Sequence, residues 1–129
     1  MTRKKIQLEY PLNNISEAIL WDSLSTETGL QKWMAEKVEA KDRTFTFTWS
    51  PDEIRTAEMT QCRLHSHVRF HWTDDEDTKS FFEFRIARNE LTGDYTLLVT
   101  DFVEEEEEEE EMIEIWDFEI STLQRICEI

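Results

Sequence analysis

The residues best placed by type and spacing to do chemistry are three histidines and a few carboxylates. His65, His67 and His71 stand at even spacing, and imidazoles at i and i+2 on one strand face can share a zinc or nickel ion. Against that, Val68, Phe70 and Trp72 occupy the opposite face of the same segment, which turns His67 and His71 toward solvent. A turn expected near Ser66 parts His65 from both, and no metal site is assigned. Acidic residues are abundant, with 30 Asp and Glu against 14 Lys and Arg. Most of them gather in exposed settings, at 74–77 and in a run of eight glutamates at 104–111.

Glu119 differs from these. On a helical wheel it falls inside an apolar arc, between Ile115 and Ile126 on one side and Met112 and Leu123 on the other. A carboxylate stripped of water there holds its proton to higher pH. It is either a polar anchor inside a cavity or a residue at the margin of the stripe that reaches solvent. With Asp101, at the end of the last expected strand, it is the one pair that acid–base chemistry could use. No residue is assigned a catalytic role. Gly29 and Gly93 are the only glycines, so a glycine-rich phosphate cradle is excluded, and nothing indicates a nucleotide cofactor.

The net charge is −16, and taking away the eight charges of the glutamate run still leaves −8 on the remainder. Such a field repels phosphate backbones and anionic lipid surfaces, so nucleic-acid binding is rejected. A basic protein surface or a neutral apolar ligand remains compatible. No apolar stretch approaches the ~20 residues of a membrane span, and MTRKKIQLEY lacks the apolar core of a signal peptide. The expected compartment is the cytoplasm, with Cys62 and Cys127 reduced and read as small buried hydrophobes.

The elements that must position these groups follow from periodicity. Residues 5–10 alternate as a strand ended by Pro11. Ser16 is a plausible N-cap, with Ile15 and Leu20 spaced as a hydrophobic staple, for a short helix running to about Ser25. Gly29 interrupts, and a second short helix carries Leu30, Trp33 and Met34. The period then changes to two. In TFTFTW it sets Phe45, Phe47 and Trp49 on one face, after a tight turn at Asp42-Arg43. A long strand from about Ile54 to Leu64 lacks clean alternation and implies a bulge. HVRFHW, FFEFRI (Phe82, Phe84 and Ile86 on one face) and YTLLVTDF complete about six antiparallel strands. Residues 110–129 form the clearest helix, with Ile113, Trp116, Ile120, Leu123 and Cys127 in one stripe. The acidic run reads as a solvated lead-in to it. Neither a linker nor a second domain is evident over 1–129, and the fold class is α+β.

WDSLSTETGLQKWMAEKV early, FTFTWSPDE in the middle, FFEFRI and EIWDFEISTLQRI at the end make this chain resemble the START-like helix-grip superfamily. Within it, the chain is similar to small bacterial proteins related to the activator of the heat-shock chaperone ATPase. The resemblance implies a curved antiparallel sheet of six to seven strands around the C-terminal helix, with an apolar cavity between them. Its lining would come from Trp33, Phe45, Phe47, Trp49, Phe70, Trp72, Phe82, Phe84 and Trp116, with Glu119, Ile120 and Leu123. Periodicity alone says that the aromatic residues face inward, not whether they fill a core or line a void. The functions implied are carriage of a small hydrophobic molecule or lipid, regulation of a chaperone through a basic partner surface, and cyclase- or hydrolase-type catalysis. Fold alone does not choose among them.

Overall fold

A computed structural model describes residues 3–104 and 106–128, without the side chains of residues 106 and 107. The elements run β1 (Lys4–Leu12), α1 (Glu17–Ser25), α2 (Glu27–Gln31), β2 (Lys37–Lys41), β3 (Thr44–Ser50), β4 (Glu53–Arg63), β5 (His67–Trp72), β6 (Phe82–Arg88), β7 (Tyr95–Val103) and α3 (Glu106–Cys127). The strands make one seven-stranded antiparallel sheet in the order β1-β7-β6-β5-β4-β3-β2. Its inner face supplies Phe45, Phe47, Val68, Phe70, Phe82, Phe84, Leu97 and Val99 to one buried cluster, closed by Trp33, Trp116, Ile120, Leu123 and Cys127. The expected sheet-around-helix architecture is therefore the one observed. No helix among the described residues is long and apolar enough to cross a membrane.

Local causes agree with most of the expected elements. Ser16 caps α1 by accepting the Ile19 N–H, and Ile15 and Leu20 are both buried in the core cluster. Asp42 takes the tight turn between β2 and β3 with φ at 56°. The irregularity expected in β4 falls between Met59 and Gln61 in its register with β5, and a second register shift falls between Thr48 and Ser50.

Five expectations are corrected. Pro11 does not end the first strand, because β1 is an edge strand and has a partner on one side only, where Pro11 lies opposite Thr96. Gly29 does not separate two helices but lies within α2. A Cβ there would stand 2.0 Å from the Asp22 carbonyl oxygen, so glycine is what lets α2 close on the end of α1. Trp33 and Met34 follow α2 in a turn, where the Trp33 Nε1–H donates to the Ser23 carbonyl at 2.7 Å. Cys127 is buried as expected, whereas Cys62 is exposed: every residue of β4 from Thr60 onward is exposed, because the strand overhangs the core there.

The fifth correction concerns the acidic run. α3 begins at Glu106 rather than Glu110, so most of the glutamates are helical. Carboxylates suit a helix N-terminus, and the basic start of β1 lies alongside, with Lys4 Nζ 2.7 Å from Glu109 and Arg3 3.0 Å from Glu104. Glu105 and Ile129, at the bounds of these expectations, lie outside the described residues.

The α1–α2 contact gives a direct test. Gly29→Ala places a methyl group against backbone that cannot rotate aside, and the expected loss is about 3 kcal/mol or more. Urea unfolding checks this; a midpoint unchanged from the parent would mean that the two helices are free to part.

Candidate functional site

Inward-facing rows of side chains run along each strand, and at one end of the sheet these rows outlast the solid core. Trp49 continues the row of Phe45 and Phe47 on β3, and Trp72 continues that of Val68 and Phe70 on β5. Asp101 continues that of Leu97 and Val99 on β7. Arg55 enters from the start of β4, one pair before Ala57, which faces Trp72 in register. Above them passes one face of α3, bearing Glu108, Met112, Ile115, Trp116 and Glu119 at helical spacing. The 73–81 segment, Arg3, Met34, Phe102 and Glu104 complete a cleft of about 860 Å³.

Trp116 forms its inner wall. The residue is 6% exposed and its ring packs 5.6 Å from Phe84 and 6.4 Å from Phe82, while its Nε1–H donates to Asp101 Oδ2 at 3.0 Å. Burial pushes the Asp101 carboxyl up to about 6, although the N–H groups of Phe102 and Trp116 favour its ionised form. Glu119 has no such help: burial alone pushes it up to about 7, and no hydrogen bond or ion pair reaches it among the described residues. On the opposite side the Trp49 Nε1–H donates to the Met34 carbonyl at 2.9 Å. The Arg55 guanidinium lies 4.0 Å from the centre of the Trp72 ring and grips Asp74 through two hydrogen bonds of 3.0 and 2.8 Å. At the rim Arg3 bonds Asp75 and Glu104, and Ser80 donates to Asp75.

Of the residues expected to line a cavity, Trp49, Trp72, Trp116 and Glu119 border the cleft. Trp33, Phe45, Phe47, Phe70, Phe82, Phe84, Ile120 and Leu123 do not, and none of them is more than 5% exposed. They interlock beneath it as solid core, with Phe70 stacked 4.9 Å from Phe82 and Trp33 edge-on to Phe84 at 5.4 Å. Ring-to-ring packing of this kind fills the space that these side chains share. Sequence reasoning missed Arg3, Arg55, Phe81, Phe102 and the inward role of the acidic 74–77 turn. The helical wheel around Glu119 had already brought Met112 and Ile115 together.

The histidines do not meet in this cleft. His65 lies outside the strands, with Nδ1 2.7 Å from Glu17 and its ring 5.9 Å from Trp21. His67 contacts Ser66 and Gln61, and His71 Nδ1 lies 2.9 Å from the Ser80 carbonyl. Among the described residues no three His, Cys, Asp or Glu side chains gather as metal ligands.

A family model described as a START-like superfamily domain matches residues 1–128. A solution structure of BfR322 from Bacteroides fragilis is 46% identical, with a TM-score of 0.71 over 100% of this chain and 94% of that one. The Aha1 dimer from Colwellia psychrerythraea shares the fold at 15% identity, with a TM-score of 0.80 over 98% of this chain and 97% of that one. Protein BH1534 from Bacillus halodurans does so at 21% identity, with a TM-score of 0.73 over 99% and 100%. No curated protein matches the sequence.

Two measurements probe the wall of the cleft. The Glu119 carboxyl rises from an ordinary 4.5 to about 7, so the native state binds its proton more tightly than the unfolded chain does. That advantage is complete below the unfolded value and is lost as pH climbs through the folded one. Glu119→Gln is therefore expected to be more stable than the parent near pH 8, by up to about 1 kcal/mol after allowance for its partial exposure, with no such gain near pH 4. Equal urea midpoints near pH 8 would show a hydrated carboxylate. Trp116→Phe keeps a ring but removes the N–H that steadies ionised Asp101, so the Asp101 carboxyl should titrate above about 6 in an NMR titration.

Proposed function

Because the chain belongs to the START-like superfamily, matched over residues 1–128, we propose that it binds a small hydrophobic molecule in the cleft beneath the first half of α3, without turning it over. The observation that carries this reading is the cleft of about 860 Å³ walled by Trp49, Trp72 and Trp116. Small-molecule sites span roughly 300–1,000 Å³ and combine apolar walls with a few polar groups. Asp101 fits a positioning role, since both of its oxygens accept hydrogen bonds from the protein itself. A second reading, a regulator that meets a basic protein surface, draws on the fold shared with the Aha1 dimer and on the acidic start of α3. A concave aromatic wall is superfluous to such a contact, and the small-ligand reading explains it.

A lipophilic fluorescent dye, displaced by a panel of lipids and aromatic compounds, tests the proposal. Trp72 stands half-buried at the cleft edge, so Trp72→Ala should weaken dye binding by about tenfold while moving the urea midpoint far less than a core truncation would. Failure of the parent protein to bind the dye or any member of the panel would overturn the ligand reading.

A further inference from the structure

Resting on the ligand-binding reading, we infer that the cleft selects hydrophobic molecules that carry a positive charge, such as aryl-alkyl amines, over neutral and above all over anionic ones. The wall brings together an apolar surface, aromatic faces and carboxylates that the protein leaves without cationic partners. Among the described residues two cations border the cleft, Arg3 and Arg55. Both are already engaged: Arg3 with Asp75 and Glu104, Arg55 with Asp74 on one side and the Trp72 ring on the other. Five bordering carboxylates, Glu53, Glu76, Asp101, Glu108 and Glu119, have no ion-pair partner among the described residues, and of these Asp101 accepts hydrogen bonds from the Phe102 and Trp116 N–H groups.

Position distinguishes these carboxylates. Glu76 belongs to the 73–81 segment and Glu53 to the start of β4, whereas Glu119 shares its helix face with Met112, Ile115 and Trp116. An incoming carboxylate or phosphate would give up its water there for a like charge, which acts as a barrier to the wrong ligand. An ammonium group would meet the Glu119 carboxylate, with the Trp49 and Trp72 rings across the cleft to pack against the apolar body.

Three probes with one naphthyl body separate the possibilities: naphthylethylamine, naphthylethanol and naphthylacetate, each titrated into the intact protein by calorimetry at about pH 8, where aliphatic amines are charged. The amine should bind at least about tenfold more tightly than the alcohol, a factor worth about 1.4 kcal/mol, and the acetate at least about tenfold more weakly. In Glu119→Gln the ratio of amine to alcohol affinity should narrow severalfold, and in Glu53→Gln by less. Equal affinities for the three probes, or tightest binding of the acetate, would overturn the charge inference and leave the ligand reading standing. Binding of none of them, with the dye also silent, would overturn the ligand reading and this inference with it.

Discussion

The aromatic inner face of the sheet must be covered, and α3 covers it through Trp116. That ring lies against Phe82, which stacks on Phe70, and against Phe84, which meets Trp33 edge-on. Large rings bury much apolar area for each ordered torsion, which lets a chain with an apolar fraction of only 39% close a core. The cover is fixed at its far end as well. The Ser16 N–H donates to the Cys127 carbonyl at 2.9 Å, and Ile15 bridges to Glu128, so the start of α1 and the end of α3 hold each other. Between these anchorages α3 has little freedom to tilt, and the cleft under its first half keeps its shape.

The charge distribution follows the same division. Where the core is solid, the buried polar groups are few and matched: Trp33 gives its N–H to the Ser23 carbonyl, and on the outer face Glu83 sits between Arg69 and Arg85. Salt-bridging holds Glu83 below the usual carboxylate value despite its burial. At the cleft the balance reverses, and Asp101 and Glu119 are both raised by burial. Two carboxylates kept partly dry are a cost to folding that a solid aromatic core elsewhere offsets, and such concessions gather at sites of function.

Much of this was legible in the sequence, for definite reasons. Alternation in TFTFTW, HVRFHW and FFEFRI assigns faces because parity is a local property of a strand. The stripe of Trp116, Ile120, Leu123 and Cys127 likewise assigns the buried side of α3. Parity is silent about depth, however. Phe47 and Trp49 share a face, yet one is sealed and the other borders the cleft, because Trp49 sits at a register shift at the end of its strand. The same limit hid Arg55 and the 74–77 turn, whose inward role depends on which strand ends the topology brings together. Gly29 misled for a related reason: its neighbour in space is Asp22, and a helix breaker by propensity is a close-packing residue by context.

The placement of the cover last in chain order has a consequence for how the protein comes into being. β1, at residues 4–12, pairs only with β7, at residues 95–103, and α3 follows both. A chain emerging from the ribosome must therefore carry β1 unpaired until β7 is made, and then hold a completed sheet with its rings bare until α3 docks. Contacts so distant in sequence slow folding, and a bare aromatic sheet invites association with neighbours in the meantime. The dense negative charge along the chain, repelling one copy from another, guards that interval.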